Sequence, residues 1–185
     1  MDSEPTVLEV DDAVVLLLGA PSKVPTVRNR MDGITRLEKL LFLLEQETPL
    51  GDQLSEKPDF ESHNFGPFSS KIYQAVDTLA AAGLLEDSAG IASSTEDAWE
   101  AENLIGTNVS DPYATRNFSL TEKGRRYYKA LIKELPSDTE VILEQFKERF
   151  GTLPLRQLIR YVYQRYPSYT DKSLIRRDIL GERGN

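Results

Sequence analysis

The sequence predicts a mainly α fold with a small β-wing, a winged helix-turn-helix continued by C-terminal helices. Three observations predict it. Leu37, Leu40, Leu41 and Leu44 fall on one stripe of a helix, and Phe42 and Leu43 widen that stripe into a buried core helix. Ile72, Ala75, Val76 and Leu79 repeat the spacing in a second helix, closed by Gly83 at a natural C′ position before Leu84-Leu85 opens an extended segment. Leu120-Thr121-Glu122-Lys123-Gly124-Arg125 then delivers the chain to a further helix. A winged helix needs these events in this order: a helix, a turn, a recognition helix, an outgoing and a returning strand, and a helix packed behind.

The elements follow along the chain. Residues 1–9 read as a frayed acidic tail. Asp11 and Asp12 can cap a short helix through Leu18, since carboxylates accept the free N–H groups of a first turn, and Gly19, Pro21 and Pro25 end it. The stretch to Asp32-Gly33 reads as a connecting loop carrying Arg28 and Arg30. Thr35 is the expected N-cap of the core helix and Pro49-Leu50-Gly51 its stop. Beyond a polar loop over 51–59, Phe60, Phe65 and Phe68 surround Gly66-Pro67, a turn expected to join the two motif helices. Ser69 or Ser70 caps the second helix. Residues 84–87 and 116–120 are the expected wing strands, with 88–115 an enlarged acidic tip that contains Trp99 and room for a short helix over 96–103. Thr121 caps a helix with Tyr127, Tyr128, Leu131, Ile132 and Leu135 on its apolar face, ended by Pro136. Three more helices are expected: one from Ser137 or Asp138 with Ile142, Phe146 and Phe150, one after Pro154 with Leu155, Leu158, Ile159, Val162 and Tyr166, and one capped by Thr170 with Leu174, Ile175 and Ile179. This divides the chain into a winged-helix domain over 1–135, with its insert at about 88–115, and a helical extension over 136–185.

Composition narrows the function. The 185 residues carry 39% hydrophobic and 28% charged side chains, ordinary for a globular protein. No apolar run approaches the roughly 18–20 residues needed to cross a bilayer. The run over 13–18 follows acidic residues and does not read as a signal peptide. The absence of Cys excludes disulfides, Cys-based zinc sites and Cys nucleophiles, and fits a cytoplasmic protein. The net charge of −8 opposes non-specific affinity for nucleic acid. That acidity is uneven. Residues 1–62 hold six basic and thirteen acidic residues, and 86–111 hold seven acidic and no basic ones. Residues 121–135 hold five basic and two acidic residues, and 156–177 hold six basic residues against Asp171 alone.

A resemblance adds to this reading. Gly33-Ile-Thr-Arg-Leu-Glu-Lys-Leu-Leu-Phe-Leu-Leu44, then Phe60 and His63-Asn-Phe-Gly-Pro-Phe-Ser-Ser70, then Leu79-x-x-x-Gly-Leu-Leu85, resemble the YwgA-like family of small prokaryotic proteins. More distantly the chain is similar to SocA-like Panacea antitoxin domains, which share a Leu-x-Lys-Leu helix and a Gly-Pro turn. The resemblance covers roughly residues 10–135 and implies toxin neutralisation or an adaptor role. It implies no catalytic residues.

The candidate residues fall into two sets. Ser69, Ser70, Lys71, Tyr73 and Gln74 open the recognition helix, where short polar side chains and one Lys can meet phosphates and base edges. Arg116 beside the wing, Lys123, Arg125, Arg126 and Lys129 on the next helix, Arg156, Arg160 and Arg165 on the penultimate helix, and Arg176 and Arg177 on the last are candidates for phosphate contact. Arg36, Lys39, His63, Gly66 and Pro67 are expected to be structural, because His63 has no evident second ligand and Gly66-Pro67 sets a turn. No P-loop, dinucleotide fingerprint, nucleophile elbow or zinc finger is present, so no enzyme, cofactor or metal is expected. The expectation is a cytoplasmic, homodimeric winged-helix protein that binds double-stranded DNA as a regulator or accessory of a prokaryotic defence or toxin–antitoxin locus. The alternative is an adaptor or antitoxin-like module that uses the fold on a protein partner without DNA. Neither involves a membrane.

Overall fold

The computed structural model describes residues 6–91 and 114–181; most of the expected acidic tip, with the helix over 96–103, lies outside the described residues. The most apolar run of the chain organises the rest. Val10–Gly19 forms α1, and Val14, Val15, Leu16, Leu17 and Leu18 have no solvent exposure at all. A helix that is apolar on every face needs neighbours on every face. Its start differs from the expected capping of the first-turn N–H groups by Asp11 and Asp12: Glu9 is the N-cap residue, and its N–H donates to Asp12 Oδ2 at 2.9 Å. Of the expected frayed tail, residues 1–5 lie outside the described residues, and Leu8 is buried and makes a parallel bridge to Leu54 through Leu8 N–H on the Gln53 carbonyl at 2.9 Å.

The expected loop before Gly33 contains a strand. Arg30–Asp32 forms β1 and pairs antiparallel with the strand that precedes Thr121, aligning Met31 with Phe118. Both of those side chains are buried. Three residues are too few for an alternating pattern to declare itself. Helix α2 spans Ile34–Glu47, two residues earlier than expected, with Gly33 at the N-cap and Thr35 buried in the first turn. A short α3, Leu50–Gln53, follows.

Gly66-Pro67 does not make the expected turn between helices. Glu61–His63 (β2) and Gly66–Phe68 (β3) form a hairpin whose tip is Asn64-Phe65, so Gly66 and Pro67 lie in its returning strand. Gly66 has φ +87, and a Cβ there would lie 2.6 Å from the Tyr163 ring, so the site needs glycine for both reasons. The hairpin is tied to the C-terminal segment by Leu174 N–H on the Asn64 carbonyl at 2.9 Å and Lys172 N–H on Ser62 Oγ at 3.1 Å.

Helix α4, Ser70–Ala81, leads into β4, Leu85–Ile91, and the chain returns along β5, Ala114–Leu120. Both strands run further toward the tip than the 84–87 and 116–120 expected. The sheet order is β1-β5-β4, antiparallel throughout, with Leu85 opposite Leu120 and Ile91 opposite Ala114. Thr121 then caps α5, Glu122–Lys133, accepting the Gly124 N–H at 3.0 Å and donating to the Gly83 carbonyl at 2.6 Å. Gly124 is buried, and any side chain there would collide with the Leu84 carbonyl; this close approach explains the Leu-Thr-x-x-Gly pattern.

Helices α6, Thr139–Phe150, and α7, Leu155–Arg165, form as expected. The last expected helix is shorter: Thr170 closes a 3₁₀ turn over Pro167–Thr170 through its hydroxyl on the Pro167 carbonyl, and α8 covers only Arg176–Leu180. Residues 136–181 are not set apart from the rest. Leu143, Phe146, Phe150, Leu158, Ile159 and Val162 belong to the same buried cluster as α1, α2 and the sheet. Among the described residues, no helix is long and apolar enough to cross a membrane.

Lys147 of α6 makes the deepest of these connections. It is fully buried, and its ammonium donates to the carbonyls of Leu18 and Ala20, both at 2.9 Å, at the C-terminal end of α1. A helix C-terminus presents unpaired carbonyls and partial negative charge, so the ammonium fits there without a carboxylate. Burial pushes its pKa down to about 8 from 10.5. The folded protein therefore releases this proton near pH 8 and the unfolded chain near 10.5, so unfolding takes up a proton in between and stability rises with pH there. Lys147→Met abolishes that contribution. The wild-type minus variant difference in unfolding free energy, measured by urea titration at successive pH values, is expected to grow by up to about 1.4 kcal/mol per pH unit between 8 and 10.5.

Candidate nucleic-acid interface

Helix α4 turns Ile72, Ala75, Val76 and Leu79 inward and presents Ser70, Gln74, Asp77, Thr78 and Ala81 outward. That outward face carries one formal charge, and it is negative. Ser69 is buried. Its N–H donates to Glu38 Oε1 at 2.8 Å and its hydroxyl donates to the Pro58 carbonyl, which leaves it anchoring the hairpin exit. The Lys71 ammonium sits between Asp59, at 2.5 Å, and Glu56, at 2.6 Å, and the hydrogen bonds to these carboxylates raise its pKa. Tyr73 is half-buried beside Phe68, ring centroids 5.5 Å apart. Of the five residues expected to open a recognition helix, Ser70 and Gln74 stand exposed.

The expected phosphate contacts divide in the same way. Arg116 on β5 is held by Asp87 of β4 at 2.5 Å and reaches Asp77 of α4 at 3.4 Å, with its guanidinium over the Phe118 ring. Lys123 donates to the Ala82 carbonyl at 2.8 Å, closing the C-terminus of α4, and Arg125 donates to the Leu120 carbonyl at 2.8 Å. Arg156 forks onto Asp178, at 2.9 and 3.2 Å, and also meets the Asp178 carbonyl at 2.8 Å. Arg126 is exposed, with Glu122 one turn away at 3.9 Å, and Lys129 and Arg160 are exposed. Arg126, Lys129 and Lys133 recur at i, i+3 and i+7, which places three exposed cations along one stripe of α5.

The residues expected to be structural gather behind the hairpin, with a partner the sequence did not single out. Glu38 and Lys39, neighbours on α2, are both buried. The Lys39 ammonium donates to Glu38 Oε2 at 3.2 Å and to the Pro67 carbonyl at 2.7 Å, while Glu38 accepts the Ser69 N–H. The pair thus fastens the end of β3 and the start of α4 onto α2. Burial pushes the Glu38 carboxyl up, against the opposing pull of Lys39 and the Ser69 N–H. A cleft of about 60 Å³ lies here, lined in part by Thr35, Lys39, His63 and Tyr73. His63 is exposed and stacks on Phe68 at 4.7 Å. Among the described residues, no group of three or more His, Asp or Glu is arranged to hold a metal ion. Arg36 lies elsewhere, against the Leu153 carbonyl. The available signal for Glu38 was a charged pair inside the apolar stripe, Leu37-Glu38-Lys39-Leu40, where a solvated face would leave charges on one side only.

No protein-family model matches this chain, and no curated protein matches it.

Removing one partner of a buried ion pair leaves an uncompensated charge, whereas replacing both removes the desolvation cost as well. Lys39→Met is therefore expected to lower stability by about 3–5 kcal/mol in urea denaturation, and Glu38→Gln with Lys39→Met by clearly less.

Proposed function

We propose that this chain is a winged-helix adaptor that engages a protein partner through the exposed face of α4 and the adjoining β4–β5 ribbon. The observation that carries this reading is the charge of α4: its outward face offers Asp77 and no free cation, where a duplex reader needs positive charge to replace condensed counterions. The winged-helix assignment is supported by element order, α1-β1-α2 then α4-β4-β5-α5, and by the sheet order β1-β5-β4. The connection from α2 to α4 is longer than the tight turn of a helix-turn-helix, since it holds α3 and the β2–β3 hairpin. Arg116, which would flank a groove, is engaged by Asp87 and Asp77 within the fold. Short polar residues on a helix, Ser70, Gln74 and Thr78, suit protein contacts as well as base edges. The absence of Cys accords with a cytoplasmic setting.

A DNA-binding regulator or defence-locus accessory, acting as a homodimer, is the second reading. The stripe of Arg126, Lys129 and Lys133 on α5 favours it, because exposed cations along one helix face can track phosphates without help from α4.

Fluorescence anisotropy against a random duplex at low and moderate salt separates the two. The adaptor reading expects no saturable binding at about 50 mM salt. It also expects a photo-crosslinker at Gln74 to capture one protein in host cells, in a band lost on Asp77→Arg. Duplex binding that weakens steeply with salt and is lost on Arg126→Gln with Lys129→Gln overturns it in favour of DNA.

A further inference from the structure

The Thr-Arg-Leu-x-Lys-Leu segment contains a charge that no carboxylate in the described residues matches and that the proposed function does not use. Arg36 projects from the first turn of α2 into a cleft of about 310 Å³ between β1 and the loop joining α6 to α7. It is half-buried, and among the described residues its one hydrogen-bond acceptor is the Leu153 carbonyl. A guanidinium has five N–H donors, so a single neutral acceptor leaves most of its capacity and all of its charge unmatched. Every other arginine that lines this cleft has a carboxylate: Arg30 meets Asp32 at 2.5 Å and stays about half exposed. Two guanidiniums against one carboxylate give the cleft an excess positive charge in a protein of net charge −8.

The surroundings strengthen that field. The cleft lies where α2 and α7 begin, with Asp32 and Arg36 lining it from one side and Pro154 from the other. Neither helix has a side-chain hydrogen bond from its N-cap residue, and the dipole of each helix directs partial positive charge toward its first turn. Thr26 and Thr152 add hydroxyls to the wall. The volume matches a small metabolite.

We propose that this cleft binds a small hydroxylated organic anion, a hydroxy acid or sugar phosphate, with its charged group between Arg30 and Arg36. A planar guanidinium fork matches a carboxylate or a phosphate, which two lysines would not do with the same geometry. Asp32 refines the choice. It lies beside Arg30 and repels a bare anion, but it accepts a hydrogen bond from a ligand hydroxyl placed next to the acid group. This site is independent of whether α4 meets protein or DNA.

The test is an amide NMR titration of the full chain with malate, with glucose 6-phosphate, and with glucose as the uncharged control. Malate or glucose 6-phosphate is expected to shift the amides of residues 30–36 and 151–155 saturably, with a Kd of about 1 mM or tighter, while glucose leaves them unchanged. Arg36→Gln is expected to weaken that binding by about tenfold or more. Arg30→Gln, at an exposed position with no role in the core, is expected to weaken it as well and guards against a folding defect in the first variant. No saturable shift by either anion up to about 20 mM overturns the proposal, as does unchanged affinity in both variants.

Discussion

A helix with apolar side chains on every face has no stable position at a surface, and α1 is such a helix. Each surrounding element covers part of it: α2 and α4 on the motif side, β5, and α5 and α6 behind. Its C-terminal carbonyls would be left buried and unpaired by that enclosure, at a cost of about 1–3 kcal/mol each. Lys147 removes that cost by bringing an ammonium from α6 to the Leu18 and Ala20 carbonyls. The sheet, α5 and α6 are placed by the need to enclose α1 and to satisfy its end, while the hairpin and α7 pack on α2.

The same economy governs the charged groups. Some cations that count toward a basic surface in the sequence are engaged within the fold: Lys71 by Glu56 and Asp59, Arg116 by Asp87 and Arg156 by Asp178, while the buried Lys39 is held by Glu38. Lys71, Arg116 and Arg156 contribute little to a phosphate grip, because binding would have to break pairs that take up more than one carboxylate or more than one donor nitrogen. What remains exposed lies off α4 and includes Arg126, Lys129 and Lys133 on α5, Arg149 on α6, Arg160 and Arg165 on α7, and Lys172 and Arg177 beyond it, while α4 itself is acidic on its outer face. On the proposed reading, the outer face of α4 suits a partner met by shape and short-range polar contact, and the cations elsewhere are what the duplex titration tests.

Much of the fold was legible in the sequence. The leucine stripe of α2, the Ile72-to-Leu79 stripe of α4, the Thr121 cap and the apolar face of α7 all declare themselves through helical periodicity. α1 was read as a minor helix because a run that is apolar throughout has no contrast between faces to mark its depth. β1 was missed because three residues show no alternation. Gly66-Pro67 carries the composition of a turn, yet glycine is required there by a positive φ and by the Tyr163 ring, a contact made by a helix almost a hundred residues later in the chain. The interface was less legible for a related reason. Composition counts charges, but the partners of Arg116, Arg156 and Lys71 are set by tertiary folding, and the burial of Glu38 and Lys147 depends on faces that only packing defines.

Division of the chain into a domain and a helical appendage is the alternative to a single body built around α1. Native-state hydrogen exchange decides between them most directly, because it reports the free energy at which each helix opens. A shared core predicts that the amides of Leu16, Leu17 and Leu18 in α1 and those of Leu158, Ile159 and Val162 in α7 exchange only through global unfolding, with one common free energy equal to that from urea denaturation. Exchange in α6 and α7 at a distinctly lower free energy, while α1 stays protected, would contradict it.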